Sequence, residues 1–290
     1  MLVVLAISGC MTAQRSEIGS YEIEAASISV PVESRDVTIP GTLVMPVGKG
    51  KFPLVVIAHG HGGTREENGG LTNIAEELAH HGIASIRVDF SGCGESSESF
   101  QQNTLSNMID DVNAALAYVE SFQAIDSKKL GIFGYSMGGR IAVAMIAEEP
   151  ERFDAAVLLA PAADDQTMVN FLGGQDAWNK YYETAQSNGY TNFTTLFGQE
   201  QELSQEWFED LEDSTLLERA QAYSGKSLVI YGEDDFVVSP EVSKATAAAL
   251  GSVLLDVTGD THSYSFYSDN PEIRSAILDG TVGLFLDTFM

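Results

Sequence analysis

Five residues, Gly134-Tyr135-Ser136-Met137-Gly138, carry the strongest chemical signal in this 290-residue chain. They follow an apolar β-like run, Lys129 to Phe133, and open a helical one, Gly139 to Glu149. A strand that reverses into a helix within one residue strains the backbone of its central residue, and only small neighbours let the turn close. Ser136 is therefore expected on a sharp tip, where its hydroxyl can attack a carbonyl once a base takes its proton. A Gly-x-Ser-x-Gly match alone is weak; the strand before it and the helix after it give it a mechanism. The candidate bases are the five histidines, at 59, 61, 80, 81 and 262. Of these His262 alone follows the serine, in Gly259-Asp260-Thr261-His262-Ser263. Three adjacent carboxylates, Glu233, Asp234 and Asp235, are the candidate acids that would orient it. The oxyanion formed on attack needs amide donors. The Met137 N–H, in the first turn of a helix where amides have no intrahelical acceptor, is one.

Short β-branched runs alternate with longer helical ones, which predicts a mostly parallel twisted sheet covered by helices on both faces. Leu54 to Ala58, Ser227 to Tyr231 and Val253 to Val257 read as strands, and each ends just before a candidate site residue. Leu105, Met108, Ile109, Val112, Leu116, Val119 and Phe122 recur at helical spacing, so 104–122 reads as an amphipathic helix whose apolar stripe is core rather than a cofactor box. His80 and His81 close a helix over 71–81, where a histidine suits the C-terminal carbonyls and needs no functional reason. Between Asp164 and Gly225 the core pattern breaks into a segment rich in Asn, Gln, Glu, Asp and aromatics, which reads as a helical cap. Its Trp178, Tyr181, Tyr182, Tyr190, Phe193, Phe197, Trp207 and Phe208 either line an aromatic acyl pocket or hold the cap together.

Several segments carry a family resemblance over roughly Thr38 to the C-terminus: Gly41-Thr42-Leu43 leading into Pro53 to Gly60, Asp89-Phe90-Ser91-Gly92-Cys93-Gly94-Glu95-Ser96, the serine pentapeptide, and Leu159-Ala160-Pro161-Ala162-Ala163. Together they resemble an α/β-hydrolase of the feruloyl or cinnamoyl esterase type. The resemblance implies the α/β-hydrolase fold, with a cap inserted between strands 6 and 7. It divides the chain into a core of 27–163 and 226–290 and a cap of 164–225. It also implies the chain order serine, acid, histidine, which makes His262 the base. The spacing Gly-x-x-Asp-x-x-apolar selects Asp235, with Val238 as its anchor, and leaves Glu233 and Asp234 as a solvated loop face. His59-Gly60-His61-Gly62-Gly63 is close in form to the His-Gly-Gly-Gly loop of esterases, so the His61 N–H becomes the second oxyanion donor beside Met137. The partner implied is a small-molecule ester, of the hydroxycinnamoyl kind found in plant phenolics.

No cofactor is called for. His59 and His61 could chelate a metal, yet no third ligand of matching spacing follows, so the metal-free reading is preferred. Lys and Arg number 15 against 42 Asp and Glu, a net charge of −27 that argues against nucleic acid or anionic membrane surfaces as partners. At the N-terminus an apolar run, Met1 to Ile7, ends in Ile7-Ser8-Gly9-Cys10, which resembles a bacterial lipobox. It implies a signal segment 1–10, a lipidated Cys10 and a tether over 11–26, hence an exported, membrane-anchored enzyme. Without that signal the enzyme would be cytoplasmic. Cys93 then has no disulfide partner and reads as a small packed residue. The alternatives are a short-chain or lipase-like esterase, a serine peptidase, and, from another class, a noncatalytic binding protein on this fold.

Overall fold

Residues 20–290 are described by the computed structural model; the expected signal segment 1–10, with Cys10, and residues 11–19 of the tether lie outside them. Eight strands form one twisted sheet: β1 (Ile23–Val32), β2 (Val37–Pro46), β3 (Phe52–Ala58), β4 (Ala84–Val88), β5 (Ile125–Tyr135), β6 (Ala155–Leu159), β9 (Lys226–Tyr231) and β10 (Val253–Asp256). Their spatial order is β1-β2-β4-β3-β5-β6-β9-β10. β2 runs antiparallel to β1 and β4, and every other pair is parallel. β3, β4 and β6 are buried at every position, as parallel strands covered on both faces must be. The sheet begins inside the expected tether, because Ile23 to Ala26 pair with Leu43 to Pro46.

Helices α1 (Gly70–His80) and α9 (Pro271–Phe289) cover one face. Helices α2 (Leu105–Glu120), α3 (Met137–Glu148) and α8 (Pro240–Leu250) cover the other. The apolar stripe predicted over 104–122 is the buried side of α2: Met108, Val112, Leu116 and Val119 are all shut from solvent. Each such side chain contributes about 1.5–3 kcal/mol of burial free energy. The helix starts where Thr104 accepts a capping hydrogen bond from the Asn107 amide.

The connection from β6 to β9 holds α4 (Gln166–Phe171), α5 (Gln175–Asn188), β7 (Tyr190–Thr194), β8 (Glu200–Ser204), α6 (Gln205–Glu209) and α7 (Leu216–Ala220). It occupies the place expected for the insertion, between the sixth and seventh strands of the main sheet. It is not purely helical, however. β7 and β8 form an antiparallel hairpin. Its buried side alternates Thr191 and Phe193 on one strand and Gln201 and Leu203 on the other, against outward Asn192, Thr194 and Glu200. Two of the four buried residues are polar, so the period-2 signal is blurred in the sequence.

β3 and β5 are neighbours although α1 and β4 lead away from β3 to its other side. The chain therefore reverses direction across the sheet between them, and loops from their carboxyl ends part to leave a crevice. Ala58 lies beside Gly134 in register, so the loop that starts at His59 and the turn at Ser136 leave the sheet side by side.

Candidate active site

Ser136 sits between β5 and α3 at φ 55°, ψ −114°. This is a strained conformation for a residue with a side chain, and the surroundings hold it there. The Ser136 amide donates to the Leu159 carbonyl at 2.9 Å, and the Ser136 carbonyl accepts from Gly139 and Ala162. The flanking glycines are required by contact. A Cβ on Gly134 would lie 2.2 Å from the Gly138 carbonyl oxygen, and one on Gly138 would lie 2.1 Å from that of Ala58. The first turn of α3 thus rests directly on the end of β3.

The other two expected groups arrive from the far half of the sheet. Asp235 follows β9 and His262 follows β10. His262 Nε2 lies 2.9 Å from Ser136 Oγ, and its Nδ1 lies 2.8 Å from Asp235 Oδ2. Asp235 Oδ1 accepts the amides of Val237 and Val238 at 2.9 and 3.0 Å, and Oδ2 also accepts the Tyr264 hydroxyl at 2.8 Å. Four donors fix the carboxyl group in place, and its oxygen, as an acceptor, assigns the proton of His262 to Nδ1. Nε2 is left as an acceptor facing the serine hydroxyl. Tyr135 stacks on the His262 ring, centroids 5.3 Å apart, and its hydroxyl donates to the His262 carbonyl. Glu233 and Asp234 lie outside this network; Glu233 pairs with Lys244 on the surface.

Among the described residues, neither the Met137 nor the His61 amide has a protein acceptor. The loop carrying His61 is close to the serine turn, since a Cβ on Gly60 would touch the Tyr135 ring at 3.3 Å. The imidazole of His59 is committed to the fold. Its Nδ1–H donates to the Gly60 carbonyl at 2.8 Å and its Nε2 accepts the Phe90 amide at 3.2 Å. His61 Nε2 meets Gln201 Oε1 at 2.9 Å, and Gln199 Nε2 donates to the Gly62 carbonyl at 2.9 Å, so the β7–β8 hairpin clamps this loop. No group of three His, Cys, Asp or Glu suited to a metal occurs among the described residues.

The inserted segment's aromatics chiefly pack on one another. Trp178, Tyr182, Trp207 and Phe208 interlock, and Tyr181 meets Phe193. Trp207 reaches the His61 ring at 5.7 Å, joined there by Phe171 and Phe100. Phe197 is 63% exposed. Phe100, Phe171 and Gln201 escaped the sequence reading because only the closure of the insertion over the loop brings them together. Tyr135 and Tyr264 flank the expected site residues in sequence, and their hydroxyls are the signal that could have marked them. Cys93 is buried, and burial pushes its thiol up to about 12, so it carries no nucleophilic thiolate at neutral pH.

Burial lowers the pKa of both loop histidines. For His61 it falls to about 4 even with the Gln201 hydrogen bond; His59 is lowered in the same direction. His61 as a residue is half-buried, yet its unpartnered Nδ1 is shut from solvent, so the burial concerns the ring. The unfolded chain binds a proton near pH 6.5 that the folded His61 refuses until about 4. Stability contributed by its neutral form is therefore complete above about pH 6.5 and is lost as pH falls toward 4. We expect His61 to cost up to about 2 kcal/mol of stability between pH 7 and 5. The His61→Phe protein should lose less Tm than the wild type over that range. Parallel Tm–pH curves would show that His61 is not held neutral.

A doubly covered, mostly parallel sheet with a strained serine at its switch point defines an α/β-hydrolase. The family model described as "Serine aminopeptidase, S33" (Hydrolase_4) matches residues 51–203, more than half of the chain, which belongs to that family. The chain is 32% identical over 143 residues to the quorum-quenching protein AidA of Acinetobacter baumannii, covering 49% of this chain and 46% of AidA. It is 30% identical over 149 residues to esterase FrsA of Klebsiella pneumoniae, covering 49% of this chain and 34% of FrsA. It thus spans about half the length of the first and a third of the second. The fold is similar to that of Est1E from Butyrivibrio proteoclasticus, solved with ferulic acid bound. The TM-score is 0.74 at 21% identity, over 90% of this chain and 98% of Est1E.

Proposed function

We propose that this protein is a serine carboxylic-ester hydrolase working through an acyl-enzyme. The observation that carries the reading is the unbroken line from Asp235 Oδ2 through His262 to Ser136 Oγ, with contacts of 2.8 and 2.9 Å. His262 Nε2 takes the hydroxyl proton as Ser136 Oγ bonds to the ester carbonyl carbon. The His61 and Met137 amides receive the oxyanion. The imidazolium, steadied by Asp235, returns the proton to the departing alcohol. Water, deprotonated by the same nitrogen, then releases the acid and regenerates the serine. No step needs a metal or cofactor.

The substrate class we propose is hydroxycinnamoyl esters, supported by the fold shared with Est1E and by aromatic rings of the insertion beside His61. A short-chain esterase is the second reading, favoured by the same rings packing on one another rather than around an open slot. The two separate on kcat/KM for methyl ferulate against p-nitrophenyl acetate, with Ser136→Ala as blank. A ferulate preference of at least about tenfold, worth about 1.4 kcal/mol of transition-state binding, supports the first. Turnover of the nitrophenyl ester alone removes it and leaves the second. Cleavage of an aminoacyl p-nitroanilide in preference to both esters would turn the reading to a peptidase.

A further inference from the structure

Glu67 is 2% exposed and has no part in the chemistry above. It lies at φ 42°, followed by Asn68 at φ 51°, and two successive side-chain-bearing residues in this region are costly. Asn68 Nδ2 holds the turn by donating to the Phe266 carbonyl at 2.8 Å. The turn drives the Glu67 carboxylate beneath the His59–Gly63 loop. There Oε1 accepts the Gly60 N–H at 3.0 Å and Oε2 accepts the Tyr267 hydroxyl. A Cβ on Gly63 would lie 2.0 Å from Oε1, so the space for the carboxylate exists because that residue is glycine.

Gly60 has no side chain to restrict its backbone, and its two peptide planes are pinned separately. Its N–H is held by Glu67. Its carbonyl accepts from His59 Nδ1 at 2.8 Å and from the Gly63 amide at 3.1 Å. In a planar trans peptide the carbonyl and the following N–H point in opposite directions. Holding the Gly60 carbonyl therefore aims the His61 N–H, and holding the Gly60 N–H stops the loop from rotating about that residue. Tyr267 belongs to the loop that follows His262, so one carboxylate links the donor loop to the loop of the base.

We infer that Glu67 is a positioning residue for the proposed acyl transfer, aiming the His61 N–H at the reacting carbonyl oxygen through its hydrogen bond to Gly60. The inference rests on the esterase reading. A negative charge near a developing oxyanion opposes the reaction, so the carboxylate must act as an acceptor rather than as a charge. Glutamine keeps an acceptor for Gly60 and offers a donor to the Tyr267 hydroxyl oxygen.

The test is kcat and KM on p-nitrophenyl acetate for the wild type, Glu67→Ala, Glu67→Gln and Tyr267→Phe, each normalised to active sites titrated with a fluorophosphonate. Loss of one aimed oxyanion donor costs about 100- to 1000-fold, so loosening it in Glu67→Ala should lower kcat about 30- to 300-fold with KM nearly unchanged. Glu67→Gln should recover most of that loss, and Tyr267→Phe should show a smaller fall in kcat of the same kind. A Glu67→Ala protein with lowered Tm but wild-type kcat per active site overturns the inference. Equal losses in the Ala and Gln variants also overturn it, because charge would then matter rather than acceptance. Should Glu67→Ala not fold, an unchanged kcat in Tyr267→Phe overturns it. Absence of Ser136-dependent turnover in the wild type removes the esterase reading and this inference together. An active wild type indifferent to Glu67→Ala removes the inference alone.

Discussion

Ser136→Ala and His262→Ala should each lower kcat on p-nitrophenyl acetate by about 10⁴- to 10⁶-fold, and the double variant should fall little further. The expectation follows from the 2.9 Å contact between Ser136 Oγ and His262 Nε2. In the proposed acyl transfer the hydroxyl is nucleophilic only while that nitrogen can take its proton, and the nitrogen has no task without the hydroxyl. The two substitutions therefore remove one function rather than two. Both residues are 8% exposed, and alanine at either leaves the surrounding main-chain hydrogen bonds intact, so Tm should move far less than rate. Losses that multiply in the double variant would mean that serine and histidine act independently, and a different nucleophile would have to be sought.

The sheet and the serine turn were legible because their physics is local. The Gly134 and Gly138 contacts leave no room for a side chain, so the need for glycine is written into the pentapeptide. The α2 stripe is equally plain, since one helix face carries all the burial. That His262 and Asp235 would come together with Ser136 was legible from the place of the histidine in the chain and from the spacing of the acid within a family pattern. What the sequence did not reveal depends on long-range closure. Gln199 and Gln201 are ordinary polar residues until the hairpin folds back 137 to 140 residues in sequence to clamp Gly62 and His61. Glu67 reads as one more acid in an acidic chain, and only its two left-handed residues turn it inward. The hairpin itself was masked because polar Thr191 and Gln201 occupy half of its buried positions.

Asp235→Asn should lower kcat by about 10⁴-fold while leaving KM and Tm close to those of the wild type. The reason lies in the donors around that carboxylate. Oδ1 accepts two amides, from Val237 and Val238, and this fixes which end of an asparagine side chain would keep its oxygen. The amide nitrogen would then stand where Oδ2 now accepts His262 Nδ1 and the Tyr264 hydroxyl. Two N–H groups cannot face each other, so His262 would move its proton to Nε2 and present a donor to Ser136 in place of an acceptor. The geometry would survive and the base would be lost. Tyr264 offers an internal check, because its hydroxyl oxygen can accept from the new amide and so help hold the variant's fold. Asp234→Asn and Glu233→Gln, one residue and two residues away, should alter kcat less than about threefold, as expected of surface charges screened by solvent. If Asp234→Asn carried the large loss and Asp235→Asn the small one, the acid would have been misassigned within the triplet. A modest loss in Asp235→Asn with a normal rise of rate with pH would mean that the imidazole keeps its tautomer without the carboxylate.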